Sequence, residues 1–203
     1  MKKFFENTRK PQKGLGGSIM LQIMNTGHNP MALWALSHLK ITESAVVLDA
    51  GCGGGKNIAN LLGRITNGKV YGVDYSPASV EKAKKHNKKA LALGKAEILQ
   101  ASVSSLPFSN ETFDIVTAFE TVYFWPDLIN DFKEVKRVLN KGGRFLICNE
   151  MAIPEKSKMW IDMLDLNVYT KEELTSALSQ AGFASIDAYN HKNGRWLCVI
   201  ASK

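Results

Sequence analysis

Short apolar runs alternate along the chain with longer segments that carry helix start and stop signals. The short runs are typical of buried strands and occupy residues 45–50, 69–74, 96–100, 112–119 and 143–147. The longer segments predict helices over residues 56–65, 77–93, 127–139 and 171–181. Strands that alternate with helices are typical of a parallel sheet with helices packed on its faces, so we expect an α/β fold.

Two of these helices have well-defined start signals. Ser76 can act as an N-cap, and Pro77 after it suits the first helical position because proline has no N–H to leave unpaired. Thr170 followed three residues later by Glu173 predicts a capping box, and Gly182 predicts the end of that helix.

The C-terminal part of the chain departs from the strand–helix alternation. Residues 184–191 and 196–202 each alternate between apolar and polar positions, and they are joined around Asn193-Gly194. An Asn-Gly pair favours the tight turn of an antiparallel hairpin. We therefore expect the sheet to be mostly parallel, with an antiparallel hairpin at its C-terminal end.

The first strand runs into a loop dense in glycine, at residues 51–55. Glycines let the backbone come close to a ligand that side chains would exclude, so a strand, such a loop and a helix predict a nucleotide-cofactor site. A dinucleotide fingerprint would place a glycine three residues after Gly53, where this chain has Lys56. Asp49, two residues ahead of Gly51, places negative charge where a pyrophosphate would be repelled.

A second carboxylate, Asp74, ends the next predicted strand. The carboxyl ends of neighbouring parallel strands lie side by side, so Asp74 should face the glycine loop. There its two oxygens could accept hydrogen bonds from both hydroxyls of a ribose.

The pattern Asp49-x-Gly51-x-Gly53 resembles the first motif of class I S-adenosylmethionine (SAM) methyltransferases. Residues 100–108 resemble the adenine-binding segment of that family, although the family's acid is replaced by Ser102. The resemblance covers about residues 45–203. It implies SAM as cofactor and S-adenosylhomocysteine as product, with cofactor contacts from this set: Asp49, Gly51, Gly53, Asp74, Tyr75, Ser102, Val103 and Phe119.

The resemblance also implies an architecture. We expect a Rossmann-like sheet of seven strands, mostly parallel, with helices on both faces and the C-terminal antiparallel hairpin. Residues 45–203 would form the methyltransferase core, and residues 1–44 a helical lid over the cofactor. Met20, Met24 and Met31 would give that lid an adaptable apolar surface, although each methionine could equally pack the segment onto the sheet.

Methyl transfer from a sulfonium needs a base only when the acceptor must lose a proton. Glu120 and His28 are the predicted catalytic residues, with Asn149 and Glu150 as further candidates. For Glu120, a hydrogen bond to the backbone or the cofactor is an equally good interpretation. Residues 123–125, Tyr-Phe-Trp, could form an aromatic wall for the acceptor or pack against the following helix.

A net charge of +7 opens a second interpretation. The excess of positive charge is concentrated near the N-terminus and along one predicted helix, at Lys2, Lys3, Arg9, Lys10, Lys13, Lys82, Lys84, Lys85, Lys88, Lys89 and Lys95. A basic surface beside a cofactor site could bind RNA phosphates, although a solvated helix face explains the lysines as well. We therefore favour a small-molecule acceptor over RNA or protein, with a non-catalytic SAM-binding protein as a third alternative.

The remaining features of the sequence limit the other functional classes. Cys52, Cys148 and Cys198 have no paired spacing, so neither a metal site nor a disulfide framework is expected. No stretch of about 18 apolar residues could cross a membrane, and the N-terminus lacks the apolar core of a signal peptide. These features predict a cytoplasmic protein, and they leave its oligomeric state open.

Overall fold

The computed structural model describes residues 28–150 and 167–203. Its strands are β1 Val46–Ala50, β2 Lys69–Asp74, β3 Ala96–Gln100, β4 Phe113–Phe119, β5 Leu139–Asn149, β6 Ile186–Asn190 and β7 Leu197–Ser202. Its helices in the described ranges are α1 Asn29–Ser37, α2 Lys56–Leu62, α3 Pro77–His86, α4 Lys88–Ala92, α5 Leu128–Val138 and α6 Lys171–Gln180. A short 3₁₀ helix follows β4 at Val122–Phe124.

All seven strands form one sheet in the order β3-β2-β1-β4-β5-β7-β6. The first five strands are parallel to one another, whereas β7 pairs antiparallel with both β5 and β6. The predicted seven-stranded, mostly parallel sheet with a C-terminal antiparallel hairpin is therefore confirmed. Strands β1 and β4 are distant in the sequence but are neighbours in the sheet. Their carboxyl ends therefore lie side by side at the middle of the sheet.

Apolar side chains cover both faces of this sheet. On one face α5 and α6 pack against the strands through residues such as Phe132, Val135 and Leu174. On the other face α1, α2 and α3 contribute residues such as Ala35 and Ile58. The helices on both faces bury the central strands β1 and β4, which consist mainly of apolar residues, whereas the edge strand β6 has no buried residue.

The prediction of one continuous helix over residues 77–93 is wrong. The structure has two helices, α3 and α4, which meet at Asn87. The buried Asn87 side chain donates hydrogen bonds to the carbonyl oxygens of Ala83 and Gly55, at 3.0 and 2.9 Å. The break therefore places an amide group under the glycine loop, a role that no periodicity of apolar residues would reveal. The predicted caps at Ser76 and Thr170 are both present.

Part of the predicted lid is described. Helix α1 buries Met31, Ala35 and Leu36 in the core on one face of the sheet, so Met31 packs the segment onto the sheet. Residues 1–27, with Met20 and Met24, lie outside the described residues, and the lid remains a prediction. Among the described residues, no helix has the length and apolarity that crossing a membrane requires.

Candidate functional site

The glycine loop is tied to the end of β2 by three backbone N–H groups. The N–H groups of Gly51 and Cys52 both donate to the Val73 carbonyl oxygen, at 2.8 and 2.9 Å. The N–H of Gly53 donates to Asp74 Oδ2 at 2.9 Å. The two sequence features singled out as a cofactor site, the loop and the second carboxylate, are thus in direct contact.

Gly51 and Gly53 both have left-handed backbone conformations, with φ of 80° and 50°, but their surroundings differ. A Cβ atom on Gly51 would lie 2.1 Å from Thr121 Oγ1, so this glycine is needed for packing against the segment after β4. A Cβ atom on Gly53 would meet no described atom within 4 Å. Gly53 therefore borders open space into which a ligand can come close to the backbone.

Asp49 lies at the carboxyl end of β1 and is 2% exposed. Burial raises the pKa of its carboxyl group to about 7, against a smaller lowering by the hydrogen bond that Thr117 Oγ1 donates to Oδ1 at 2.9 Å. The charge of nearby Asp74 raises this pKa further. A buried acid of this kind favours a positively charged ligand beside it, because the ligand stabilises the ionised form.

Both oxygens of Asp74 accept a backbone N–H, Oδ1 from Ser76 and Oδ2 from Gly53, each at 2.9 Å. Burial raises the pKa of this carboxyl group, and these two hydrogen bonds, together with one from the Ser79 side chain, oppose the rise. A carboxylate has about four lone-pair sites, so about one remains for a ligand hydroxyl. Asp74 therefore organises the loop and keeps part of the capacity predicted for it.

The segment that resembles an adenine-binding site follows β3, next to β2. The N–H of Ala101 donates to the carbonyl oxygen of Asp74 at 3.1 Å, and Gln100 Nε2 donates to the carbonyl oxygen of Tyr75 at 3.2 Å. Ser102 Oγ accepts the Ser104 N–H at 3.2 Å, so its short side chain serves the local turn. The Tyr75 side chain is 41% exposed at the same edge.

Helix α5 holds this segment through a pair of residues that the sequence analysis did not single out. Glu134 accepts the N–H of Leu106 at 2.8 Å and forms an ion pair with Arg137. Arg137 in turn donates to the carbonyl oxygens of Leu106 and Phe108, at 3.1 and 2.8 Å. An acid and an arginine three residues apart are common on exposed helices. No sequence signal therefore distinguishes this supporting pair from an ordinary surface ion pair.

Glu120 follows β4 with a left-handed φ of 56° and is 9% exposed. Its Oε1 accepts the hydroxyl of Tyr123 at 3.1 Å and also the N–H of Glu150. Burial raises the pKa of this carboxyl group, while neighbouring His28 and the two hydrogen bonds lower it. The backbone hydrogen bond expected for Glu120 is therefore present on one oxygen.

The second oxygen, Oε2, faces the other predicted catalytic residue. His28 Nε2 lies 3.9 Å from Oε2 of Glu120 and 3.9 Å from Oε2 of Glu150. Arg195, from the turn between β6 and β7, approaches Glu150 Oε1 to 3.3 Å. The structure thus brings together three of the four candidates, and we call His28, Glu120 and Glu150 the acidic cluster. Their ligand atoms lie within 4.8 Å of one another, a spacing compatible with a metal ion, which the sequence did not predict.

Other candidates lie in the core. Phe119 is buried among residues of the α1 and α2 side of the sheet. Trp125 packs against Phe132 and Phe145, with ring centroids 5.8 and 6.1 Å apart, so it belongs to the core on the other face. Asn149 is buried, and within the described part of the chain neither atom of its amide has a hydrogen-bond partner.

Residues 48–147 match a protein family described as a methyltransferase domain. This range spans β1 to the fifth strand and includes the glycine loop, both carboxylates and the segment after β3. The chain belongs to the class I SAM-dependent methyltransferases. The fold agrees, because a SAM-dependent methyltransferase from Aquifex aeolicus superposes with a TM-score of 0.76 at 21% identity, over 90% of this chain and 96% of that one.

Curated relatives of this class I methyltransferase are distant. The chain is 30% identical over 133 residues to sterol methyltransferase-like 1 of Botryococcus braunii, covering 64% of this chain and 34% of that protein. It is 37% identical over 109 residues to a demethylmenaquinone methyltransferase of Lactococcus lactis, covering 53% and 42%. The chain therefore spans less than half the length of these two relatives.

The residues present fit the cofactor that defines the family. Gly53 borders open space, Asp74 keeps about one lone-pair site for a ribose hydroxyl, and Asp49 offers buried negative charge that suits a sulfonium cofactor. Tyr75, Ser102 and Val103 follow the ends of the two strands on the β3 side of the loop. The resemblance implies a cofactor contact for Phe119 as well, but packing in the core explains the position of this side chain without a ligand.

Proposed function

We propose that this chain transfers the methyl group of SAM to a small-molecule acceptor and releases S-adenosylhomocysteine. The observation that carries the proposal is the contact between the glycine loop and Asp74, with the buried Asp49 at the adjacent strand end. The matching domain family supports it. The names of the two relatives reported above refer to a sterol and to demethylmenaquinone, both small molecules, which favours a small acceptor.

On the cofactor side, each implied residue has a role that its place supports. Gly53 would let the backbone approach the cofactor, and Asp74 would accept a ribose hydroxyl. Tyr75, Ser102 and Val103 would border the adenine. Asp49 would offset the positive charge of the cofactor, because its carboxyl group is buried beside the loop.

On the acceptor side, the residues of the chain would orient the acceptor and receive a proton from it. The cofactor, when bound, supplies a methyl group that is already activated by the sulfonium. Holding the acceptor in line can contribute about 7 to 11 kcal/mol in favourable cases. Glu120 or His28 would receive the proton from an acceptor that must lose one, since Glu120 Oε2 faces His28 across a gap of 3.9 Å.

The test uses purified protein, SAM labelled in its methyl group and a cell extract separated into small-molecule, RNA and protein fractions before counting. We expect label in the small-molecule fraction. Label in RNA or protein would instead mean that the exposed lysines of α3 and α4, such as Lys84 and Lys88, serve a macromolecular acceptor. SAM binding without transfer to any fraction would identify a non-catalytic SAM-binding protein. The predicted cytoplasmic location remains a prediction.

A further inference from the structure

We propose that the acceptor carries a primary or secondary amine, whose ammonium group has at least two N–H donors, and that Glu120, Glu150 and His28 bind this ammonium group and take up the proton it loses before methylation. This inference rests on the proposed function and adds the chemical class of the acceptor. It is carried by the spacing and charge of the acidic cluster and by its place beside the glycine loop.

The spacing within the cluster fits a hydrogen-bonded nitrogen better than a metal ion. His28 Nε2 is 3.9 Å from an oxygen of each carboxylate, too far for a direct hydrogen bond. An ammonium nitrogen about 2.8 Å from two partners holds them roughly 4.0 to 4.6 Å apart at angles between 90° and 109°. A metal ion with bonds of about 2.1 Å would hold its ligands roughly 3.0 to 3.4 Å apart. The observed gap therefore matches the ammonium group.

Among the described residues, the protein balances the charges around the gap only in part. Arg195 lies 3.3 Å from Oε1 of Glu150 and offsets one carboxylate. Glu120 is 9% exposed, and its Oε1 is engaged by the Tyr123 hydroxyl and the Glu150 N–H, which leaves Oε2 directed at the gap. His28 Nε2 is 3.9 Å from this oxygen, too far to donate a hydrogen bond to it, whereas an ammonium group in the gap could donate one. A buried carboxylate oxygen without such a partner is costly.

The cluster adjoins the loop that would hold the methyl donor. Thr121, the residue after Glu120, is packed so closely on Gly51 that a Cβ atom there would lie 2.1 Å from its Oγ1. The N–H of Glu120 also donates to the Cys148 carbonyl oxygen at 2.9 Å, which fixes the residue between the ends of β4 and β5. An amine bound at the cluster is thus next to the glycine loop.

The proposed step balances in atoms and charge. The bound ammonium gives one proton to Glu120 or His28, and the lone pair left on nitrogen attacks the methyl carbon. A nitrogen–carbon bond forms, the sulfur–carbon bond breaks, and its electron pair stays on sulfur. The products are a methylated ammonium ion and S-adenosylhomocysteine. The buried position of Glu120, which raises the pKa of its carboxyl group, suits it to accept that proton.

The test is methyl transfer from labelled SAM to the small-molecule fraction of a cell extract, followed by cation exchange at acidic pH. A second portion of the fraction is first treated with acetic anhydride, which acylates primary and secondary amines. Because SAM is itself a cation, the label retained in a reaction without the protein is subtracted first. We expect the remaining, protein-dependent label to be retained by the resin, and the acylated portion to lose at least nine tenths of it. Label in the neutral or anionic eluate, or label that survives acylation, would overturn this proposal and leave the proposed function standing. No label in any fraction would overturn both.

A binding measurement separates recognition from turnover. The acceptor, identified from its labelled product and purified from untreated extract, is titrated calorimetrically into protein loaded with S-adenosylhomocysteine, using the wild type, Glu150→Gln and Glu172→Gln. Loss of a charged hydrogen bond should weaken binding about tenfold or more in Glu150→Gln. Glu172 lies on the exposed side of α6, so Glu172→Gln should bind like the wild type. Equal affinity for all three proteins would contradict the role of the cluster.

Discussion

Asp49 is an almost fully buried acid at the end of a central strand. Because its pKa is raised to about 7, its charge changes near neutral pH. The folded pKa lies above the ordinary value of 3.8, so the fold disfavours the ionised form. The free energy of unfolding should therefore fall as the pH rises from about 4 to about 7. A cationic cofactor would offset this cost by favouring the ionised form.

Asp49→Asn removes the charge but keeps an oxygen for the Thr117 hydroxyl. We expect the variant without ligand to be more stable than the wild type at pH 8, by up to about 3 to 4 kcal/mol, and equal to it near pH 4. Urea unfolding at the two pH values measures this difference. SAM affinity should fall at least tenfold. A stability difference that does not change with pH would contradict the assignment.

Gly51 and Gly53 share a left-handed backbone but differ in what surrounds them, and alanine at each should separate packing from ligand binding. Gly51→Ala forces a contact with Thr121 and should lower the free energy of unfolding by several kcal/mol. The Cβ atom of Gly53→Ala has room, so this variant should lower the free energy of unfolding by only about 1 to 2 kcal/mol, for the left-handed backbone. It should nevertheless weaken SAM binding at least tenfold.

Gly94→Ala is the matched control, because Gly94 also has a positive φ and open surroundings but lies in the turn between α4 and β3. Thermal unfolding and SAM titration of the three variants decide the matter. Equal SAM affinity in Gly53→Ala and Gly94→Ala would mean that the space beside Gly53 holds no cofactor.

At the scale of elements, α5 acts as a support for the segment after β3. Arg137 donates to the carbonyl oxygens of Leu106 and Phe108 and pairs with Glu134, so one side chain fixes the loop that carries Ser102 and Val103. This position in a helix is remote from the cofactor motifs. It is a positioning role rather than a cofactor contact.

Arg137→Ala should loosen that segment and weaken SAM binding by about three- to tenfold, since the loop must then be ordered by the cofactor. The control is Arg144→Ala, because Arg144 is exposed on β5, where it pairs with Ile115 and Ser202 of the neighbouring strands. Calorimetric titration with SAM measures the effect. A lower melting temperature with unchanged SAM affinity would make the Arg137 pair purely structural.

The element order was readable from the sequence because strand and helix signals are local. The caps at Ser76 and Thr170, the Asn-Gly hairpin and the strand-ending carboxylates depend on neighbouring residues and were predicted correctly. The division of residues 77–93 at Asn87 was not, because the side chain of Asn87 breaks the helix to reach a carbonyl oxygen 32 residues earlier.

At the scale of the whole molecule, the order of strands sets one edge where the glycine loop, Asp74 and Glu120 meet. The predicted lid should complete this edge by enclosing it. Deleting residues 1–27 keeps His28 and α1, so the melting temperature should change little. Methyl transfer measured with labelled SAM should fall at least tenfold, because water would enter the site. Unchanged transfer would contradict the lid.

Periodicity, caps and glycine-rich turns act over a few residues, so the class of fold, the order of its elements and the cofactor motifs could be predicted from the sequence. Which distant side chains meet depends on the tertiary fold. His28, Glu120, Glu150 and Arg195 come from four separate segments, and the left-handed backbone of Glu120 accompanies the approach of its carboxylate to His28. Strand register and helix packing determine which of these side chains approach one another, and no local sequence pattern specifies either of them.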